Sequence, residues 1–202
     1  MWYCSFIMNL YSQKNPVQSG VTSKSAIATE SNYWQYNDGS RDNYFKGKDA
    51  GDCVVRAIAI ATDKDYLEVY KDMKELNKLY AENHRDYVAK EIKRNGPSPR
   101  NGVSKEVFKP YIQSLGWLSC PTMGIGTGCR VHVNPEELPK GRLILNLSRH
   151  LTTMIDGVVN DTYDCSREGT RCVYSFYYNK SNEDALEWIY NFNKEYCLEW
   201  NN

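Results

Sequence analysis

The sequence predicts an α+β fold, because helical periodicity fills its first half and strand periodicity fills its second. Apolar residues recur at helical spacing over residues 65–94 and 104–115. After Arg130 the spacing changes to short strand-like runs, and two of these flank Asp156-Gly157, a two-residue hairpin signal. A closing helix is predicted over residues 183–199. We therefore expect helices first and an antiparallel sheet second.

The composition changes near residue 45. Residues 1–45 are polar and rich in Ser, Asn, Gln and Tyr without a sustained period, so we expect a loosely structured lead-in. Residues 46–202 are expected to form one domain. In the apolar run over residues 53–61, Arg56 is the only charge. The alanines of this run and Asp52, a good N-cap residue, favour a helix, and a helix that is apolar nearly all round must lie in the core.

The bounds of the other elements follow from the spacing of apolar residues and from the Gly, Pro and Asn residues that interrupt it. Asn95-Gly96-Pro97 ends the long helix over residues 65–94, and Pro110 predicts a kink or break in the helix over 104–115. The predicted strands span residues 130–133, 142–147, 150–155, 158–163 and 172–178.

Composition and charge exclude several classes of function. The 202 residues contain 25 Lys plus Arg and 25 Asp plus Glu, which gives no electrostatic reason to expect a nucleic acid or an anionic membrane as partner. No stretch approaches the roughly 18 apolar residues that a membrane helix requires. The N-terminus lacks the charged and apolar regions of a secretory signal. We expect a cytoplasmic protein, and its oligomeric state stays open.

The seven cysteines bear on metals and on disulfides. No Cys-x-x-Cys pair occurs, so a zinc ribbon is not expected, and no metal or cofactor is predicted. The spacing of Cys165 and Cys172 would allow a disulfide, but buried reduced thiols are the more common state in a reducing cytosol. We therefore expect reduced cysteines.

Cys53 is the first candidate for chemistry, because it lies where a turn becomes the buried helix. The N-terminus of a helix carries roughly half a positive charge, which favours thiolate over thiol. A free cysteine is only a few per cent thiolate at neutral pH, so this placement would activate a nucleophile. The alternative is a buried cysteine that only packs.

His150 could supply the base that such a nucleophile needs. It opens a predicted strand that leads through Asp156-Gly157 to a second strand, which carries acids. If the turn is a two-residue loop, Asp161 is the diagonal neighbour of His150 on the same face, with backbones about 7–8 Å apart. Asp161 would then orient the imidazole as the third member of a triad. A change of one residue in loop length would favour Asp164 or Asn160 instead.

These segments resemble those of papain-like cysteine peptidases. The order Cys, His, then an amide or acid is that of the family, and residues 51–59 and 149–164 match its nucleophile and histidine segments. The sequence is similar in particular to small papain-like proteins of bacteriophages and bacteria, mostly of unassigned function. The resemblance covers about residues 46–178. It implies a papain-like fold with a helical half led by the nucleophile helix and an antiparallel sheet, and it implies that Tyr163 shields the contact between the histidine and the third residue.

The resemblance implies a thiol hydrolase that cleaves a peptide, isopeptide or other amide bond in a bacterial or phage-infected cell. One departure is that residues 44–52 contain no Gln or Asn, where the family places a donor of the oxyanion hole. Asp52, Lys48 or the more distant Asn43 could assist, and losing one donor typically costs about 10²–10³ in rate. Two alternatives stay open: the same triad used for acyl transfer, as in transglutaminase-like enzymes, and a catalytically weak or inactive binding protein on this fold.

Overall fold

The computed structural model describes residues 33–46 and 51–197, which form a mixed α+β fold. The five α-helices of these residues are α1 (Cys53–Thr62), α2 (Tyr66–Asn83), α3 (Tyr87–Asn95), α4 (Lys105–Ser114) and α5 (Glu183–Cys197). The six strands are β1 (Trp34–Tyr36), β2 (Trp117–Pro121), β3 (Arg142–Leu147), β4 (His150–Ile155), β5 (Val158–Asp161) and β6 (Ser175–Asn179). Two 3-10 turns, Arg41–Asn43 and Pro99–Asn101, precede α1 and α4. The α+β class predicted from the sequence is confirmed.

The six strands lie in one sheet in the order β1-β5-β4-β3-β6-β2. Every neighbouring pair is antiparallel except β1 with β5, where Trp34 aligns with Val159 in a parallel pair. The purely antiparallel sheet that we expected is therefore wrong at one edge. A three-residue strand escapes sequence patterning because it is too short to show a period of two.

β1 lies within residues 1–45, which were predicted to be a loosely structured lead-in. The strand is hydrogen-bonded along β5, and just beyond it the N–H of Asn37 donates to the carbonyl of Asp161 over 3.0 Å. The described part of residues 1–45 is thus joined to the sheet rather than loosely structured. Residues 1–32 lie outside the described residues.

Both faces of the sheet carry apolar side chains, and each face has its own core. Ile144, Leu151 and Tyr177 pack with α1, α2 and α4 on one face. Residues of opposite parity in the same strands pack with α5 on the other face: Leu143, Leu145, Met154, Phe176 and Tyr178. This is the two-residue alternation of strands, visible on both sides because helices cover both faces.

α1 positions the predicted nucleophile and lies in the core, as expected. Its residues from Val54 to Ala61 are all buried. The helix packs across β4, where the hydroxyl of Thr153 donates to the carbonyl of Ala57 over 2.7 Å. The half-buried Cys53 at the start of α1 and His150 at the start of β4 line the same cleft.

Two of the predicted helices differ in detail. The pattern over residues 65–94 is divided into α2 and α3, because His84 is extended and the carboxylate of Asp86 caps α3 by accepting from the N–H of Ala89 at 2.8 Å. α4 continues through Pro110 without the expected break, and Pro110 is exposed, where loss of one helical hydrogen bond is tolerated more easily. No helix in the described ranges combines the length and the apolar character that a membrane crossing requires.

The predicted strands are confirmed where the hairpin signal is strong. β3 and β4 have the expected bounds, and β5 ends two residues before the expected end. Residues 130–133 form only an isolated bridge between His132 and Cys172. β2 was not predicted, and its burial does not alternate cleanly from residue to residue, so the sequence offers no period to detect.

The expectation of reduced cysteines is wrong for one pair. Cys172 forms a disulfide with Cys129, and not with Cys165, whose spacing had suggested a bond. The partners are 43 residues apart, so no local pattern could have identified them. The thiols of Cys53, Cys120 and Cys165 are free.

Candidate active site

A glycine positions the segment that enters α1. The N–H of Gly51 donates to the carbonyl of Arg100 over 2.8 Å, which ties this segment to the turn Pro99–Asn101. A Cβ on Gly51 would lie 3.0 Å from the same carbonyl, closer than ordinary van der Waals contact, so a side chain would push the segment away. The close approach sets where α1 begins, and Cys53 is its first residue.

Asp52 occupies the N-cap position of α1, but its side chain does not cap the helix. The carboxylate is fully buried, forms an ion pair with Arg56 and accepts a 2.7 Å hydrogen bond from the hydroxyl of Tyr66. Nη1 of Arg41 lies 3.9 Å from the same carboxylate. The expected capping by the Asp52 side chain is therefore wrong, and a carboxylate that accepts from these groups is not a donor for an oxyanion.

Arg56 links the nucleophile helix to the predicted third residue of the triad. Its guanidinium pairs with Asp52 and also donates to Oδ1 of Asp161 over 3.2 Å. All three residues are at most 5% exposed, so water screens their charges little. The single charge of an otherwise apolar helix thus holds two buried acids, one beside Cys53 in the chain and one beside His150 in space.

The hairpin of β4 and β5 brings His150 and Asp161 together. Ile155 pairs with Val158, which is the two-residue loop that the sequence predicted. Nε2 of His150 lies 2.7 Å from Oδ2 of Asp161, and the two side chains are at most 8% exposed. The register therefore produces the contact that was predicted from the alternation of side chains.

The two alternatives to Asp161 are engaged elsewhere. The carboxylate of Asp164 accepts from the N–H of Ser166 at 2.9 Å. The side-chain oxygen of Asn160 accepts from the amide groups of Gln35 and Asn37, which extend from the β1 side of the sheet. Of the three candidates, Asp161 is the one bonded to His150.

Nucleophilic chemistry would depend on Cys53 and His150, which line the same cleft. The imidazole and the backbone N–H of Leu151 are the neighbouring groups that most favour the charged form of the Cys53 sulfur. Burial alone would raise the pKa of the thiol, but the hydrogen bond and charge of His150, the Leu151 N–H and the charge of Arg56 outweigh it. The pKa of Cys53 therefore lies below its ordinary value.

The pKa of His150 shifts in the opposite direction, to about 12. Burial alone would lower it, but hydrogen bonds to Asp161, Cys165 and Cys53 and the charge of Asp161 stabilise the imidazolium. Burial would raise the pKa of Asp161, but the His150 hydrogen bond and the charges of His150 and Arg56 hold it below its ordinary value. The surroundings thus favour the charged thiolate and the charged imidazolium over the neutral forms of both groups.

Tyr163 covers the histidine from the solvent side. Its ring centroid lies 5.3 Å from that of His150, with the planes tilted by 46°. The Tyr163 residue is 48% exposed whereas the His150 side chain is only 8% exposed. The contact has the form expected of a shielding aromatic residue.

Cys165 joins this cluster although no sequence pattern indicated it. Cys165 is 1% exposed, and its sulfur lies within 4.8 Å of a ring nitrogen of His150. One atom each of His150, Asp161 and Cys165 lie within 4.8 Å of one another, a donor set of the kind that zinc accepts. The 2.7 Å contact between His150 and Asp161 leaves no room for an ion between them, so a metal would first have to break that hydrogen bond.

The cleft that contains Cys53 and His150 has a volume of about 370 Å³. Apolar side chains form much of its wall: Val54, Val103, Phe108, Leu147 and Leu151. Its other polar side chains are those of Lys105, Asn146 and Arg149. The volume is near the lower end of ligand pockets, which span about 300–1,000 Å³, so the cleft suits a short segment of a substrate.

The side chain that the sequence offered as an oxyanion donor is not at this cleft. Asn43 is exposed in the turn Arg41–Asn43 and is not among the residues that line the cleft. Lys48 lies outside the described residues. Besides His150, the side chains of the cleft that can donate hydrogen bonds are those of Lys105, Arg149 and Asn146. One N–H of the Asn146 amide donates to the hydroxyl of Ser175 over 3.2 Å, which leaves the second N–H for a ligand.

Several residues of the site were missed by sequence reasoning. Cys165, Lys105 and Arg149 have no local pattern that distinguishes them from other thiols and surface cations. Arg56 did carry a signal, because a lone charge on a helix that must be buried requires a partner. Its partner Asp52 is only four residues earlier, but the sequence could not name the second partner, since Asp161 lies 105 residues away.

Comparisons with known proteins do not identify a relative. No protein-family model, no curated protein and no solved structure matches this chain.

Proposed function

We propose that the protein is a cysteine-dependent hydrolase of amide bonds, with Cys53 as nucleophile, His150 as base and Asp161 as the residue that orients the histidine. One observation carries the proposal: His150 is hydrogen-bonded to Asp161 and lines the same cleft as Cys53, where its imidazole lowers the pKa of the thiol. The order of the three residues and the placement of a buried helix against a hairpin also support a papain-like arrangement of the fold.

The acylation step follows from the protonation states that the surroundings favour. The Cys53 thiolate attacks the carbonyl carbon of the amide, a C–S bond forms and the carbonyl oxygen becomes an oxyanion. His150 gives its proton to the leaving nitrogen, the C–N bond breaks and the amine departs. Asp161 keeps the imidazole in position and stabilises its charged form until the proton is transferred.

The deacylation step returns the enzyme to its starting state. The neutral imidazole takes a proton from water, the resulting hydroxide attacks the thioester, and the acid product leaves as the thiolate re-forms beside the imidazolium. The oxyanion needs donors in both steps. We assign this role to the backbone N–H of Cys53, at the positive end of α1, and to the Asn146 amide that lines the cleft.

Selective alkylation tests the proposal. We expect iodoacetamide at pH 6.5 to label Cys53 faster than Cys120 or Cys165, because the pKa of Cys53 is lowered and its sulfur lines the cleft. Mass spectrometry of peptides at increasing reaction times gives the rate for each cysteine. The variant His150→Ala should slow labelling of Cys53 at least about 10-fold, because the imidazole is the main group that stabilises the thiolate.

A matched variant separates this effect from the general cost of removing a histidine. His84 is exposed and stacks on Tyr80, away from the cleft, so His84→Ala should leave the labelling rate of Cys53 unchanged. Preferential labelling of Cys120 or Cys165 in the wild type, or equal rates for Cys53 with and without His150, would contradict the triad. A reactive Cys53 without hydrolysis of any amide would instead favour the binding protein that the missing oxyanion amide suggested.

A further inference from the structure

We propose that the cleft beside Cys53 selects substrates that carry a carboxylate close to the scissile amide, an inference that rests on the proposed hydrolase function. Apart from His150, the charged residues that line the cleft are Lys105 and Arg149, and both are cations. Within the described part of the chain, no acidic residue lines it. A ligand with a negative charge is the complement of such a lining.

Neither cation is neutralised by an acid of the part of the chain that the structure describes. Lys105 and Arg149 are exposed, and neither forms an ion pair with any residue of the described ranges. Arg142, at the opposite end of β3, shows the contrast, because it pairs with Asp63 at 2.8 Å. The charges at the cleft are therefore available to a ligand.

Two separate elements bring these charges to the cleft. Lys105 is the first residue of α4, whose N-terminus adds a partial positive charge, and the side chain of Ser104 does not cap it. Arg149 lies in the turn before β4 with φ of 56°, a left-handed conformation that an arginine adopts only when its surroundings hold it there. The turn thus holds a cation immediately before His150 at an energetic cost.

The buried charges below the cleft do not cancel this positive charge. The two buried acids Asp52 and Asp161 face the guanidinium groups of Arg41 and Arg56, and Arg41 also pairs with the exposed Asp42 at 3.1 Å. The thiolate–imidazolium pair likewise sums to zero. The field that a ligand meets at the cleft is therefore determined mainly by Lys105 and Arg149.

Two alkylating agents with the same reactive carbon test the inference. Iodoacetate carries a carboxylate where iodoacetamide carries a neutral amide. We measure the ratio of their second-order rates at Cys53 and divide it by the same ratio for N-acetylcysteine. We expect the normalised ratio to exceed 1 at low salt and to fall as NaCl rises to about 0.5 M, because salt screens exposed charges.

Variants assign the effect to the two cations. Lys105→Met and Arg149→Met should each lower the normalised ratio about 3-fold, and the double variant about 10-fold, the size of an interaction between exposed charges. Lys180→Met is the matched control, because Lys180 is exposed beyond the far end of β6 and does not line the cleft. It should leave the ratio unchanged.

The outcomes distinguish this inference from the proposed function. A reactive Cys53 whose normalised ratio does not change in the double variant overturns the carboxylate inference and leaves the hydrolase proposal intact. A Cys53 that reacts no faster than Cys120 with either reagent overturns both.

Peptide probes then identify the source of the carboxylate. Ac-Ala-Glu-Ala-amide is compared with its Gln analogue, and Ac-Ala-Ala-Ala with its C-terminal amide, for protection of Cys53 against iodoacetamide. Stronger protection by the Glu peptide indicates an acidic side chain, and stronger protection by the free C-terminus indicates a terminal carboxylate. Equal protection within both pairs contradicts the inference.

Discussion

His150 has two different environments on its two sides. On one side it lines the cleft together with Cys53, a half-buried thiol at the start of a helix. Away from the cleft it contacts Asp161 and Cys165, which are 3% and 1% exposed, and Arg56 lies behind Asp161. We call these the cleft side and the closed side of the histidine.

The comparison shows that contact with an imidazole does not by itself define a nucleophile. Cys53 and Cys165 both favour the charged form of His150 and raise its pKa. Only Cys53 begins a helix, receives the Leu151 N–H and lines a space that a substrate can enter. The cleft side therefore has the features needed for bond making, and the closed side those needed to orient and charge the histidine.

Replacing each of the two thiols by alanine in turn gives the largest expected effect on activity. Cys53→Ala should lower kcat/KM for amide hydrolysis by about 10³-fold or more, because a triad without its nucleophile retains only binding and oxyanion stabilisation. Cys165→Ala should retain activity within about 10-fold, because the imidazolium loses one of several hydrogen-bond partners. Initial rates on a common amide substrate measure both changes.

One outcome of these two substitutions would contradict the assignment of Cys53 as nucleophile. If Cys165→Ala is the inactive variant and Cys53→Ala is not, the closed side carries the chemistry. A metal bound by His150, Asp161 and Cys165 would then become the better explanation, and the activity should be lost with a chelator and restored by zinc.

Removing the acid from the closed side gives the next largest effect. Asp161→Asn should lower kcat/KM by about 10²–10⁴-fold, the range typical of acid–base catalysis. Asp164→Asn should lower it less than about 3-fold, because the carboxylate of Asp164 accepts from the backbone N–H of Ser166 and not from His150. Steady-state kinetics of both variants test this. Equal losses would show that the choice between the two acids is wrong.

The pH profile gives the same prediction an independent readout. Activity requires the thiolate and the imidazolium together, so it rises as Cys53 loses its proton and falls at alkaline pH as His150 loses its own. In the wild type the acid limb should lie below the ordinary thiol pKa, and the alkaline limb should extend far above 6.5, since the pKa of His150 is raised to about 12. In Asp161→Asn the alkaline limb should move to lower pH, because the carboxylate that stabilises the imidazolium is gone.

The sequence predicted the part of the site that depends on local geometry. His150 and Asp161 are 11 residues apart in one hairpin, and the register follows from Asp156-Gly157 and the alternation of strands. The buried helix that begins at Cys53 was predictable from its apolar composition. These features require no knowledge of how distant segments pack.

What the sequence did not predict depends on contacts between distant segments. Cys165 follows β5 by four residues, yet its position at His150 results from the path of a loop without a regular period. The Asp52 side chain does not cap the helix, because Arg56 and Tyr66 bind its carboxylate in the core and this interaction is stronger than a cap. β1 depends on pairing across more than 120 residues. Each is a tertiary contact that overrides or lies beyond the local pattern.

Replacing Arg56 should have the smallest effect on turnover and a large effect on the free energy of unfolding. Arg56→Met would leave Asp52 and Asp161 buried without the cation that pairs with both, and breaking a buried pair typically costs about 3–5 kcal/mol. Arg94→Met, which removes an exposed pair with Glu91, should cost less than about 1 kcal/mol. Because Asp161 still accepts from His150, the folded fraction of Arg56→Met should retain activity within about 10-fold. Urea unfolding and active-site titration measure the two effects separately. Equal stability losses in the two arginine variants, or a loss of turnover as large as that in Asp161→Asn, would mean that Arg56 has a different role from holding the closed side together.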